Sequence, residues 1–200
     1  MFFEKKVDSN IVLNMVKLED AEEIFSLVDT SRDYLRKWLP WVDSNTTGKD
    51  TEKFIVSARQ QSAANNGFQC CIRYKLKIAG IVGFYYIDQW SEQAPSFYGG
   101  VISDWESRTT ELAYWLAQKY QGMGLMTKCC NLLTDYAFQD LDLHRVEILP
   151  NNSKSCAIPE RLGFIRERTI PNAEWINDRF VDNTVYSMSR KNWHQQVKND

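Results

Sequence analysis

Tyr120-Gln121-Gly122-Met123-Gly124-Leu125 joins a strand-like run to a long amphipathic helix, and its residue types suit the holding of a phosphate. A glycine-bearing turn that opens a helix leaves several backbone N–H groups unpaired at the positive end of the helix dipole. Gly122 and Gly124 carry no side chain to block a close approach by a diphosphate. The two common nucleotide fingerprints do not fit. A dinucleotide fold wants a third glycine where Thr127 stands, and a P-loop wants Gly-Lys-Ser/Thr where the chain has Gly124-Leu125-Met126. That counts against NAD or ATP and leaves another phosphorylated carrier, or a plain strand-to-helix connection.

The turn needs a frame, and the flanking periodicity supplies one. Glu111-Leu112-Ala113-Tyr114-Trp115-Leu116 alternates within a strand over 110–116, while Leu125, Cys129, Leu132, Leu133 and Tyr136 recur at helical spacing. A second strand, 145–149, leads into the polar stretch Asn151-Asn152-Ser153-Lys154-Ser155. Upstream, 11–17 alternates as a first strand. Asp20-Ala21-Glu22-Glu23 reads as a capping box before a helix that buries Ile24, Phe25, Leu27 and Val28. A short helix over 34–38 is expected to end at Pro40, and another to begin near Asp50 or Thr51 with Phe54, Ile55 and Ala58 on one face. Residues 68–75 and 78–87 read as a strand pair joined near Lys77. Further strands are expected at 164–169 and 180–189, with 195–200 polar and frayed.

Composition sets limits on this α/β pattern. Two hundred residues, 44% of them hydrophobic, can bury one sizeable core, and 1–200 reads as a single domain. Twenty-four basic against 26 acidic side chains leave a net charge of -2, which gives no electrostatic reason for direct nucleic-acid binding. No apolar run reaches the ~18 residues of a membrane span. The start, Met1-Phe2-Phe3-Glu4-Lys5-Lys6, lacks the apolar stretch of a signal peptide. Cys70, Cys71, Cys129, Cys130 and Cys156 include two adjacent pairs and no Cys-x-x-Cys, which argues against a metal site and a disulfide framework. Reduced thiols and a cytoplasmic location are the expectation. A Cys–His nucleophile would need His144, opening a strand, or His194, in a polar tail, and neither is placed for it.

With those elements in place, the stretch from Asn151 through Pro159-Glu160-Arg161-Leu162-Gly163-Phe164 closely resembles the GNAT superfamily of acyl-CoA-dependent N-acyltransferases. Within it, the chain looks like the RimJ/RimL-type ribosomal-protein N-terminal acetyltransferases. Arg32-Asp33-Tyr34-Leu35-Arg36-Lys37-Trp38-Leu39-Pro40-Trp41, Glu111 to Leu116, and 175–188 carry the same likeness in the family's order. The resemblance implies a mixed, mostly antiparallel central sheet flanked by helices. Its fourth and fifth strands, here 110–116 and 145–149, would splay apart to form an acyl-CoA cleft. One departure is 89–108, where relatives have a tight turn between the third and fourth strands. This insertion holds Trp90, Phe97, Tyr98 and Trp105 around Gly99-Gly100, a pair suited to a hairpin turn. An extra hairpin could pack on its own core or on a second subunit, which leaves a homo-oligomer open; an aromatic flap over a substrate is the alternative.

The resemblance also assigns residues. Main-chain groups around Tyr114, Trp115 and Leu116 would pair with the pantetheine of acetyl-CoA, and N–H groups from Tyr120, Gln121, Gly122, Met123, Gly124 and Leu125 would seat the diphosphate. Lys119 stands where the family has glutamine or arginine, keeping a charge but losing the guanidinium fork. Glu111 would be the general base, through a water, and Ser155 the proton donor to the departing thiolate, with Asn152 bonding the pantetheine or a water. Arg32, Trp38 and Trp41 would help form the acceptor groove, or else anchor the first helices. No metal is implied.

Amine chemistry separates the acceptors. Roughly a tenth of an α-amine is neutral at pH 7 but well under a thousandth of a lysine, a difference of about 3 kcal/mol in deprotonation work. One carboxylate acting through water fits the α-amine of a protein N-terminus better. A small amine (polyamine, aminoacyl compound or antibiotic) is the alternative acceptor, and a non-catalytic acyl-CoA sensor the alternative class. Retention of Glu111, Asn152 and Ser155 argues against the sensor.

Overall fold

Successive side chains on a strand point to opposite faces, so the adjacent Cys70 and Cys71 enter two different cores. In the computed structural model, which describes residues 3–87 and 108–198, both are fully buried, one on each side of a central sheet. The described strands are β1 (Glu4–Lys6), β2 (Ile11–Met15), β3 (Phe68–Tyr74), β4 (Lys77–Ile87), β5 (Thr109–Leu116), β6 (Arg145–Ile148), β7 (Ile165–Ile176) and β8 (Arg179–Ser189). They lie in the order β1-β2-β3-β4-β5-β6-β8-β7, antiparallel throughout except for the parallel pair β5 and β6. The mixed, mostly antiparallel sheet expected from the resemblance is therefore present. The insertion read at 89–108 lies outside the described residues apart from Arg108.

Helices cover both faces. On one, α1 (Ala21–Asp29) and α3 (Gly48–Ala63) bury Ile24, Val28, Ile55 and Ala58 against Cys71, Ile78 and Ile81. On the other, α4 (Leu125–Gln139) sets Met126, Cys129, Cys130 and Leu133 against Cys70, Val82 and Leu112. The one-turn α2 (Arg32–Leu35), α5 (Ser153–Arg161) and α6 (Arg190–Val197) complete the set. Burial raises the thiols of Cys70, Cys71, Cys129 and Cys130, so these behave as small apolar groups, and all five cysteines are free. Among the described residues, no helix is long and apolar enough to cross a membrane.

Several boundaries differ from the sequence expectation, each for a local reason. Asp20 does not cap α1: its carboxylate turns inward to accept from Arg73 at 2.6 Å and from the Lys17 N–H at 3.2 Å, and a 3-10 turn (Leu18–Asp20) precedes the helix. The α3 helix begins before Asp50 because Asp50 is its third residue, reaching back to accept from the Thr47 N–H and hydroxyl at 3.0 and 2.8 Å. Instead of 34–38, the short helix is Arg32–Leu35, and Pro40 opens a 3-10 turn (Pro40–Asp43), where its missing N–H costs nothing. The β3–β4 turn falls on Lys75 and Leu76, both at positive φ, next to the expected Lys77, which opens β4. At the C-terminus, Ser189 caps α6, and Trp193 packs on Phe138 and donates to Asp135 at 2.6 Å, so residues 195–197 are helical instead of frayed.

The largest difference is β7, expected to end at Thr169 but continuing to Ile176. Pro171 cannot donate to a ladder, yet β7 is an edge strand and tolerates it. Its register with β8 shifts between Ile170 and Glu174, with Asn172 at φ 54, and then resumes to a turn at Asn177 and Asp178. That continuation carries Glu174 and Trp175 to the open end of the sheet.

Candidate active site

Two parallel strands that stop pairing leave a gap, and here the gap is deep. The β5–β6 pairing covers Thr109↔Arg145, Thr110↔Val146 and Glu111↔Glu147. Past Glu111, β5 runs on to Leu116 beside β4, while β6 ends at Ile148 and the chain turns into α5. Alternate residues of 112–116 therefore present backbone N–H and C=O groups to the gap. The resulting cavity is about 1500 Å³, beyond the ~300–1,000 Å³ of an ordinary small-molecule site, with room for a long ligand and a second reactant.

At one end lies the glycine turn. Gly122 and Gly124 both hold φ 73, the left-handed region that L side chains enter only with strain. A Cβ on either would meet nothing within 4 Å, so the backbone conformation demands glycine and the space beyond it is open. The first bond of α4 runs from the Lys128 N–H to the Gly124 carbonyl at 3.2 Å, so the helix start brings N–H donors from Gly122 onward; the N–H groups of Tyr120 and Gln121, expected to join them, are taken instead by the Ala117 and Gln118 carbonyls at 3.0 and 3.2 Å. Two cations from α5 flank the turn: Lys154 donates to Gln121 at 3.3 Å, and Arg161 to the Thr127 hydroxyl at 2.8 Å. This cradle fits a diphosphate.

At the other end the cavity is acidic and aromatic. Glu111 stands where β5 and β6 part, its carboxyl pushed up to about 7 by burial, then by the neighbouring charges of Glu147 and Glu174. Glu147 is tied to Arg145 at 2.7 Å, and Arg145 in turn forms a two-pronged pair with Glu167 at 2.8 and 2.6 Å. Glu174 accepts from Asn183 at 2.9 Å and from Asn151 at 3.4 Å, while Asn151 also donates to the Trp38 carbonyl at 3.1 Å. Asn152 donates to Asn151 at 3.0 Å and accepts the Ser155 N–H at 3.0 Å, capping α5. Hydrogen bonds thus run without a break from Glu174 through Asn151 and Asn152 to the first turn of α5.

Tyr114, Trp115, Leu116, Tyr120, Gln121, Gly122, Gly124, Leu125, Asn152 and Ser155 all line the cavity with Glu111, as do Trp38 and Trp41. Arg32 does not: it donates to the carbonyls of Val42 and Asn45 at 2.6 and 2.8 Å and so holds the chain that carries Trp41. Met123 is exposed on the rim. Lys119 is exposed outside the lining, its Nζ 5.0 Å from the centroid of the Tyr120 ring. Sequence reasoning missed Glu174, Tyr34, Lys154 and Arg161. Glu174 lies beyond Thr169, where the strand was expected to end; the helical spacing of Lys154 and Arg161, seven apart in one helix, could have found those two. Among the described residues, no group of three or more His, Cys, Asp or Glu side chains is arranged to hold a metal ion.

Residues 10–165 match the acetyltransferase (GNAT) domain family, and the chain belongs to it. It is an N-acetyltransferase of the RimJ/RimL-like type. YdaF, a candidate ribosomal N-acetyltransferase of Bacillus subtilis (strain 168), is 30% identical over 195 residues, covering 96% of this chain and 97% of its own. The ribosomal-protein-serine acetyltransferase of Escherichia coli (strain K12) is 22% identical over 184 residues, 91% and 94% of the two chains. The crystal structure of the microcin C7 self-immunity acetyltransferase MccE, in complex with acetyl-CoA and AMP, aligns with a TM-score of 0.80 at 28% identity, covering 92% and 94%.

Proposed function

We propose that this enzyme takes its acetyl group from acetyl-CoA and delivers it, in the cytoplasm, to the N-terminal α-amine of a protein, with ribosomal proteins the leading acceptors. The carrying observation is Glu111 at the parting of β5 and β6, between a phosphate cradle and a second carboxylate, Glu174. Bound acetyl-CoA supplies an acyl carbon already activated as a thioester. The turn at 122–125, with Lys154 and Arg161, holds the diphosphate, Tyr120 and Gln121 lining its approach, and the free edge of 112–116 pairs with the pantetheine amides. Met123 and Lys119 contribute backbone and long-range charge.

Glu111, directly or through a water, takes the surplus proton of the amine as its N–C bond forms. Ser155 gives its hydroxyl proton to sulfur as the C–S bond breaks, so amine plus thioester becomes amide plus thiol. Solvent then restores the proton to Ser155 and removes the one on Glu111. Glu174, fixed by two amide donors, draws the cationic acceptor inward, and Trp38, Trp41 and Trp175 line its path. The acidic lining also suits a small cationic amine, the second reading.

Free-thiol release from acetyl-CoA, measured with N-terminal-serine and N-terminal-alanine peptides, N-blocked lysine peptides and spermidine, tests the proposal. Release driven by the free N-termini is the expected result. Release with spermidine alone moves the assignment to small amines, and release with none of the panel overturns it.

A further inference from the structure

Pro159 sits inside α5, and a proline there acts on the residue four positions back. It has no N–H to offer the Ser155 carbonyl, and its ring crowds that carbonyl out of the helical line. A half-buried carbonyl without a partner is costly, so the position calls for a donor from elsewhere. Tyr114 supplies it. From β5, across the cleft, its hydroxyl donates to the Ser155 carbonyl oxygen at 3.2 Å. Burial holds the phenol well above its ordinary range, so it remains a donor at every working pH. The opposite end of Ser155 is fixed as well, its N–H donating to Asn152 Oδ1 at 3.0 Å. The Ser155 backbone is thus held on both sides by side chains from the two walls of the cavity that all three residues line.

We propose that Tyr114 is a positioning residue for acetyl transfer: its hydroxyl stands in for the helical N–H that Pro159 lacks and so fixes the direction of the Ser155 side chain. The inference rests on Ser155 as the proton donor to the leaving thiol. It accounts together for two features that are unfavourable alone, a proline within a helix and a phenol facing a largely apolar cleft.

The test is a double-mutant cycle on the full chain. It is read as kcat and KM for acetyl-CoA, with a short N-terminal-serine peptide and spermidine as parallel acceptors, and as melting temperature. Tyr114→Phe is expected to lower kcat about tenfold, the scale set by a misaimed catalytic group, with KM for acetyl-CoA little changed. Adding Pro159→Ala, which restores an N–H to the helix, returns most of the lost rate and melting temperature. In a Ser155→Ala background, Tyr114→Phe costs no further kcat, because Tyr114 acts only through Ser155. Wild-type kcat in Tyr114→Phe, an undiminished loss in the Ser155→Ala background, or no recovery with Pro159→Ala overturns the inference. If Tyr114→Phe fails to fold, the Tyr114→Phe/Pro159→Ala chain decides: folded and active supports the inference, unfolded overturns it. Wild-type kcat in Ser155→Ala is a different failure, which removes the proton-donor reading itself.

Discussion

Glu111 combines two demands that oppose each other, since the surroundings that suit it to take a proton near pH 7 also make its charge costly to the fold. Its ordinary value is 4.5 and its folded value about 7, so the native state binds the proton more tightly than the unfolded chain. Stability from this group is full below pH 4.5 and is lost as pH rises towards 7. Glu111→Gln, neutral at all pH, should therefore melt higher than wild type at pH 8, by about 1–3 kcal/mol, and no higher at pH 4. Thermal melts across that range check the sign; a lower melting point at pH 8 would contradict the electrostatic account. Ser155 makes the complementary prediction. On the proposed proton-donor role, Ser155→Ala should lower kcat by about one to two orders of magnitude and leave KM for acetyl-CoA near wild type, a loss confined to the chemical step. Steady-state kinetics separate the two parameters.

Elements decide whether such residues meet, and here the sequence was legible in some places and opaque in others. The strand at 110–116, the glycine turn and the helix behind it were readable because their periodicity and φ demands are local. Glu174 was not, because Pro171 masks a strand whose tolerance for proline comes from lying at the sheet edge, a property of the whole sheet. Asp20 was misread for a similar reason: its spacing fits a cap, but Arg73, 53 residues away, claims its carboxylate. With the Asp20 side chain 9% exposed, removing one partner of that pair should be costly. Asp20→Ala is expected to lose about 3 kcal/mol in a denaturant melt while the folded fraction keeps its activity. Gly124→Ala tests the turn instead. Forcing a side chain to φ 73 should disturb the N–H array and raise KM for acetyl-CoA by about tenfold with a smaller change in kcat, as expected when uniform binding is lost.

At the scale of the molecule, one topological event organises the proposed function: a parallel pair within an otherwise antiparallel sheet separates after three residue pairs. The separation gives a long ligand an unpaired strand edge, points it towards a helix N-terminus at one end, and leaves two carboxylates at the other. Family likeness located the splay before the structure did, whereas composition and charge only excluded alternatives. The central claim is that amine deprotonation at Glu111 limits the reaction performed in this cleft. It is tested most directly by the pH dependence of kcat/KM, measured with the acceptor that releases thiol from acetyl-CoA, in wild type and Glu111→Gln. The account predicts a wild-type rate that falls as pH drops through about 7, above any change due to the amine itself, and a variant that is slow throughout and lacks that inflection. A variant that retains wild-type kcat/KM and the same inflection would contradict it.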